Sequence, residues 1–113
     1  MQGFEGAPDA WLVLDPELAE AAADLRPGDD VFVLTWLHRA RRDVHRVHPR
    51  GDRAAAERGV FSTRSPDRPN PIGLHRVEIA EIEETRIRVH NLEAVNGTPV
   101  VDVKPVLRHD DGA

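Results

Sequence analysis

Three prolines, Pro66, Pro69 and Pro71, lie within six residues near the middle of the chain. Proline fixes φ at about −65° and biases the preceding residue towards extended geometry, so this stretch is a stiff connection between other elements. Arg64 and Arg68 lie in the same loop, and their planar guanidinium groups can bind a carboxylate or a phosphate. Because a rigid loop loses little entropy on binding, the stretch indicates one wall of a ligand site. A plain strand connection with two solvated arginines is the alternative.

Runs typical of β-strands lie on both sides of this loop. Segment 30–38, DVFVLTWLH, is rich in Val, Phe, Leu, Thr and Trp and predicts a strand buried on both faces. Five further segments read as strands separated by turns such as Asn96-Gly97: 10–14, 59–63, 72–82, 86–92 and 98–107. Six or seven short strands predict a mainly β domain, either a small barrel or a strongly folded sheet.

One segment, 15–28, has the features of a short helix. Asp15 can cap its N-terminus, and a proline follows at the first helical position. Leu18, Ala22 and Leu25 would share one face at helical spacing. A Pro-Gly pair would end the helix, so one short helix is predicted beside the strands.

The length of 113 residues fits one domain over residues 1–113. The chain has no cysteine, which excludes disulfides, thiolate zinc sites and cysteine nucleophiles and fits a cytoplasmic protein. No stretch approaches the roughly 18 apolar residues of a membrane helix. The start, MQGFEGAPDA, has neither the basic nor the apolar region of a signal peptide.

Charge is unevenly distributed along the chain. The formal net charge is −5, whereas nucleic-acid binders usually carry the opposite sign. One basic segment nevertheless holds five arginines that could meet a nucleic-acid backbone: Arg39, Arg41, Arg42, Arg46 and Arg50. His38, Asp43, His45 and His48 share this segment, but their spacing matches no compact zinc pattern, so no metal site is expected.

The aromatic side chains do not accompany these arginines in sequence. Trp11, Phe32, Trp36 and Phe61 all lie in strand-like runs. We therefore expect them in the core rather than on a surface that stacks nucleic-acid bases.

The stretch GVFSTRSPDRPNPIGL, residues 59–74, resembles the signature of the TsaA-like family, also called the TrmO family. Three more segments are similar to the family in the same order: GFEGAPDAW, VLTWLHRA…DVHRVHPRGD and LEAVNGTPVVDVKPVL. The chain departs from the pattern at Asn96, where Asp is common, and at Val106, where Tyr often follows Lys-Pro. The family's first strand and the Pro-Arg of its early loop are expected to be missing, as is the second domain of many bacterial members.

The resemblance implies a small β-barrel that binds S-adenosyl-L-methionine, usually as a homodimer with the site near the interface. It implies a methyltransferase, because the best characterised activity of the family is methylation of N6 of threonylcarbamoyl-adenosine in tRNA. The five arginines of the basic segment are the expected tRNA contacts. Two alternatives stay open: methyl transfer to a small metabolite, which suits the acidic chain, and a non-catalytic S-adenosyl-L-methionine-binding or interaction module.

The resemblance also implies the cofactor-binding residues: Gln2, His38, Arg39, Arg64, Leu74, Asn96, Gly97, Thr98 and Pro99. Methyl transfer from a sulfonium needs the nucleophile held in line, and a weakly nucleophilic N6 nitrogen benefits from a proton acceptor. Asp102 is the first candidate for this base, with Lys104 on the same strand face by period-two spacing. A surface ion pair between them is the alternative, and His38 and His75 are weaker candidates.

Overall fold

The computed structural model describes residues 9–48 and 56–107. The described residues form seven strands: β1 (Ala10–Val13), β2 (Asp30–Trp36), β3 (Arg46–Val47), β4 (Arg58–Gly59), β5 (Ile72–Glu83), β6 (Arg86–Val89) and β7 (Val100–Pro105). The same residues include two 3-10 helices, Pro16–Leu18 and Val60–Ser62. Across the described ranges, no helix has the length and apolar character needed to cross a membrane.

Five of the strands form one antiparallel sheet in the order β1-β6-β5-β2-β7, and β3 pairs only with β4. Strand β5 joins the two halves, since its first half pairs with β2 and its second half pairs with β6. The prediction of a mainly β domain is confirmed. Within the described residues β1 and β7 are free edges with no ladder between them, so these strands form an open sheet rather than a closed barrel.

The hydrophobic core lies on one face of this sheet. Period-two alternation along the central strands places aliphatic side chains on that face, where they form one cluster: Leu12, Val31, Val33, Val77, Ile79, Ile87, Val89 and Leu92. Each fully buried aliphatic side chain contributes about 1.5–3 kcal/mol relative to an exposed one. The cluster therefore fixes which face of β2 and β5 points inward and which faces the other way.

The helix predicted over 15–28 is wrong. Only Pro16–Leu18 forms a 3-10 helix, with Asp15 as its N-cap as expected, and turns with i to i+3 hydrogen bonds follow it. A short helix is marginal in water unless an apolar face packs against the rest of the protein. Here the packed apolar side chains are only Ala22 and Leu25, which is too small a face to hold a regular helix.

The strand predicted over 59–63 is also wrong, because the chain turns into the second 3-10 helix. The carbonyl oxygen of Val60 accepts from the Thr63 amide at 3.0 Å and from the Thr63 hydroxyl at 2.9 Å. These local bonds compete with strand pairing. The turn leaves Phe61 82% exposed, so the expectation of a core position fails for this ring, whereas Phe32 is buried as predicted.

Candidate functional site

The segments singled out by sequence meet where β2 ends. The Leu37 amide donates to the Pro71 carbonyl at 2.8 Å, which attaches the proline loop to one side of β2. The Trp36 amide donates to the Pro99 carbonyl at 2.9 Å, which attaches the Asn-Gly-Thr-Pro turn to the other side. His38 and Arg39 follow directly in a tight turn. We call these three segments, residues 37–39, 63–71 and 95–99, the loop end of the sheet.

The Asn-Gly-Thr-Pro turn has a defined backbone. The Thr98 amide donates to the Val95 carbonyl at 3.1 Å, and the Thr98 hydroxyl donates to the same oxygen at 2.6 Å. Gly97 has φ of +88°, the sign that a type II turn requires at its third residue. The Asn96 side chain is exposed and has no hydrogen-bond partner among the described residues, so its amide is available to a ligand.

Arg68 holds the proline loop from inside. Its guanidinium group donates to three backbone carbonyls, those of Val60 and Thr63 at 2.8 Å and that of Ser65 at 3.1 Å. Charged donors to carbonyls form comparatively strong hydrogen bonds. The expectation from the sequence that Arg68 faces a ligand is therefore wrong. Its guanidinium N–H groups instead donate to backbone carbonyls that lie before and after Arg64 in the loop.

A second arginine ties the loop to β2. The Arg42 guanidinium lies 5.1 Å from the ring centroid of Trp36, within the range of a cation–π contact. It also donates to the Pro69 carbonyl at 2.8 Å and to Oδ1 of Asn70 at 3.2 Å. The loop is therefore fixed by prolines, by Arg68 and by Arg42, as expected for a preformed wall of a site.

The other arginines of the basic segment and the proline loop divide into those that pair with an acid and those that do not. Arg41 pairs with Asp43 and Arg46 with Glu57, each at 3.2 Å, and the hydrogen bond from Arg41 lowers the pKa of the Asp43 carboxyl. Arg39 and Arg64 are exposed and form no hydrogen bond or ion pair with any described residue. The loop end thus presents two guanidinium groups that are free to bind an anion. Gln2 and Arg50 lie outside the described residues.

Leu74 and the candidate base share the sheet face opposite the core. Leu74, Leu34 and Asp102 are cross-strand neighbours in one row over β5, β2 and β7. Lys104 lies in the next row beside Phe32, so the predicted common face of Asp102 and Lys104 is confirmed. Both side chains are exposed and form no ion pair with each other; Oδ1 of Asp102 accepts from the Val103 amide at 2.8 Å.

His75 lies on the core face and is half-buried. Its Nε2 is 2.9 Å from the hydroxyl oxygen of Thr35, which is 1% exposed. Burial lowers the pKa of His75, which keeps the imidazole neutral. His75 points away from Leu74 and Asp102, so it does not share a sheet face with the first candidate base. Its spacing of two and four residues from Val77 and Ile79 was the sequence signal for the core face.

The contact between Thr35 and His75 also leaves no room for a side chain at position 73. A Cβ atom at this position would lie 2.5 Å from the Thr35 hydroxyl oxygen and 2.8 Å from Nε2 of His75. Only glycine fits beside this pair, which explains the glycine that follows the proline loop. Among the described residues no group of three His, Asp or Glu side chains could hold a metal ion.

Comparisons with known proteins identify the family of the chain. A family model described as the tRNA-methyltransferase O N-terminal domain matches residues 2–112. A probable S-adenosyl-L-methionine-binding protein of Methanothermobacter thermautotrophicus is 47% identical over 97% of this chain and 78% of its own length. An S-adenosyl-L-methionine-binding protein of Archaeoglobus fulgidus is 54% identical over 89% of this chain and 70% of its own length.

A solved structure extends the comparison to the fold. The crystal structure of TrmO from Pseudomonas aeruginosa aligns with a TM-score of 0.72 at 30% identity, over 96% of this chain. The chain spans 46% of that protein. The resemblance stated from the sequence is confirmed: the chain belongs to the family of tRNA-methyltransferase O N-terminal domains.

Proposed function

We propose that this domain binds S-adenosyl-L-methionine at the loop end and acts as a methyltransferase. The observation that carries the proposal is the pair of hydrogen bonds, Leu37 to Pro71 and Trp36 to Pro99, at 2.8 Å and 2.9 Å. They bring three of the sequence segments implied in cofactor binding to one end of the sheet. The names of the curated relatives from Methanothermobacter and Archaeoglobus support the same ligand.

The side chains at the loop end fit this cofactor chemically. Arg39 and Arg64 offer uncommitted guanidinium groups that suit the methionine carboxylate. The Asn96 amide and the fixed backbone of the Gly97 turn offer polar partners, and Leu74 offers apolar surface. When bound, S-adenosyl-L-methionine supplies a methyl group on a positively charged sulfur. The cofactor-binding residues we propose remain His38, Arg39, Arg64, Leu74 and 96–99, with Gln2 from the early loop.

The protein's own contribution to the reaction is proposed at Asp102. Its carboxylate is exposed in the same row as Leu74, with β2 between them, so the two positions are about 10 Å apart. That spacing leaves room for an acceptor group between the cofactor wall and the carboxylate. Asp102 would accept the proton that the nucleophilic nitrogen loses, and Lys104 in the next row would add positive charge beside it.

The acceptor we propose is N6 of threonylcarbamoyl-adenosine in tRNA; the family description, which names a tRNA methyltransferase, supports tRNA as the acceptor class. A small metabolite is the second candidate, favoured by the net charge of −5 and by the pairing of Arg41 and Arg46 with neighbouring acids. A non-catalytic binding module is the third. Labelled methyl transfer separates them, since only the first requires tRNA that contains the modified nucleoside.

We further propose a cytoplasmic homodimer with the cofactor site near the interface. Exposed apolar side chains next to the loop end support an interface there: Ile72 is 45% exposed and Val101 is 55% exposed. We also propose that the sheet curls towards a small barrel. Register shifts at Leu34/Thr35 and at Ile79/Glu81 support this, because bulges increase local twist and bending.

Calorimetric titration with S-adenosyl-L-methionine tests the proposal. We expect saturable binding near one site per chain at micromolar strength, and a loss of roughly tenfold or more for Arg64→Ala, as for a charged hydrogen bond. Arg86→Ala is the matched control, since Arg86 pairs with Glu83 at the far end of β5, roughly 35 Å along the strand from Ile72. Unchanged affinity of Arg64→Ala in a dimeric protein, or no binding by the unaltered chain, would contradict the proposal.

A further inference from the structure

An open groove of about 410 Å³ lies beside the proline loop. Its lining consists of His45, Gly59, Val60, Phe61, Ser62 and Pro69. The Phe61 side chain is 82% exposed at this groove. A phenyl ring left in water forgoes most of the free energy that its burial would give, so a ligand in this groove would gain free energy by covering the ring.

The ring of Phe61 is backed by a fixed cation. The guanidinium carbon of Arg68 lies 6.0 Å from the ring centroid. Arg68 cannot swing away easily, because it donates to the carbonyls of Val60, Thr63 and Ser65. A ring with one side on a fixed cation and most of its area exposed is a platform on which a second planar group can stack.

The charge around the groove favours a ligand that carries phosphate. Among the described residues, no acidic side chain lines it. Arg58, directly before the lining residue Gly59, is exposed and has no partner among the described residues. The neighbouring acid Glu57 is paired with Arg46 at 3.2 Å. In a chain of net charge −5, the described part of this groove is thus without acids and has an exposed arginine next to it in sequence.

The groove is next to the proposed cofactor site along the chain. Ser62 and Pro69 line the groove, and Arg64 follows Ser62 by two residues, which corresponds to at most about 7 Å of extended chain. The groove and Arg64 therefore belong to the same stretch of the proline loop. A second copy of the chain fits less well, because stable interfaces bury about 800 Å² per partner and one exposed ring offers far less.

We propose that Phe61 is the stacking platform for a nucleobase of the methyl acceptor and that Arg58 contacts the adjoining phosphate. This assignment rests on the proposed function in one respect, namely that the acceptor is RNA. The chemistry matches single-stranded RNA recognition, in which unstacked bases lie on aromatic side chains and cations contact the backbone. Phe61 and Arg58 are then residues that bind the acceptor and leave cofactor affinity unchanged.

The test uses a labelled five-nucleotide RNA that has one adenine flanked by abasic positions, and measures binding by fluorescence anisotropy. Phe61→Ala should weaken binding roughly tenfold or more, whereas Phe61→Trp should retain it. A fully abasic RNA should bind weakly and equally to the unaltered chain and to Phe61→Ala. Arg58→Ala should weaken the binding of both RNAs by the same factor and reduce the salt dependence of their affinity.

Two controls separate this inference from the proposed function. Calorimetric titration of Phe61→Ala with S-adenosyl-L-methionine should give the affinity of the unaltered chain, and sedimentation should give the same oligomeric state. Equal RNA affinity of Phe61→Ala and the unaltered chain, or no adenine-dependent binding by the unaltered chain, would overturn the inference. A change of oligomeric state in Phe61→Ala would also overturn it, by assigning the ring to a contact between copies.

Discussion

The two ends of β5 are stabilised in different ways. At the far end, which we call the hairpin end (residues 79–89), Ile79, Ile87 and Val89 are almost completely buried in the core cluster. At the loop end the chain is held mainly by hydrogen bonds from side chains to backbone, above all those of Arg68 and Arg42. The contrast teaches that one end is a packed scaffold, whereas the other is a preformed polar surface whose geometry depends on individual contacts.

The charged groups show the same contrast. At the hairpin end, Arg88 bridges the carboxylates of Asp9 and Glu81, and hydrogen bonds from His90 and Arg88 lower the pKa of Asp9. These pairs are exposed, and exposed pairs contribute little to stability. At the loop end, Arg64 is without a described partner. Most charges of the hairpin end are therefore paired, whereas Arg64 at the proposed site has no pairing among the described residues.

The largest expected effect is that of Gly73→Ala, which overfills the space beside Thr35 and His75. The added Cβ atom would lie 2.5 Å and 2.8 Å from these two side chains. We therefore expect a loss of about 1–3 kcal/mol in the free energy of unfolding. Urea denaturation measures it. Gly59→Ala is the matched control, since the nearest atom there would be 3.9 Å away, and it should change stability much less. Equal stability of the two variants would remove the packing argument for the motif glycine.

Replacing arginine by lysine at the two ends compares them directly. Arg68→Lys keeps the charge, but lysine lacks the planar fork of N–H donors with which Arg68 binds three carbonyls. We therefore expect a loss of about 2 kcal/mol in the free energy of unfolding. We also expect weaker binding of S-adenosyl-L-methionine, because the loop on both sides of Arg64 loosens. Arg88→Lys should have a smaller effect on stability and none on binding. A larger binding defect in Arg88→Lys than in Arg68→Lys would reverse the assignment of the two ends.

The smallest expected effect is a pH dependence that arises from His75. Burial lowers its pKa below the ordinary value of 6.5, so below that pH the unfolded chain binds more protons than the folded one. Stability from this residue is fully present above about pH 6.5 and decreases as the pH falls. The melting temperature should drop more between pH 7.5 and 5.5 in the unaltered chain than in His75→Gln. Parallel curves would show that His75 titrates normally.

The five strands of the main sheet were predictable because local sequence patterns determine them, whereas the short strands β3 and β4 were not predicted. The β-branched runs of β2 and β5 and the alternation in β6 fix both the element and its buried face. The segment 15–28 has an equally clear helical pattern, yet its apolar face is too small for packing to hold a regular helix. Helix propensity alone therefore gave a wrong prediction in this segment, because the segment makes few tertiary contacts.

The sequence predicted the candidate site only in part, for a similar reason. The resemblance identified which segments belong together, and Pro71 and Pro99 do lie beside the end of β2. The inward role of Arg68 and the exposure of Phe61 could not be seen, because both depend on the turn over residues 60–63. Local bonds from Thr63 to the Val60 carbonyl close this turn, and the Val60 amide anchors it by donating to the distant His45 carbonyl at 2.8 Å. Sequence patterns name residue types, whereas the direction of a loop side chain depends on contacts made elsewhere in the fold.

Amide hydrogen exchange with and without S-adenosyl-L-methionine tests the central claim most directly, namely that the loop end binds ligand and the hairpin end is scaffold. We expect slower exchange with ligand in residues 37–39, 63–74 and 95–99 and unchanged exchange in residues 79–89. Ligand-dependent protection confined to the hairpin end, or spread evenly over the sheet, would contradict the account.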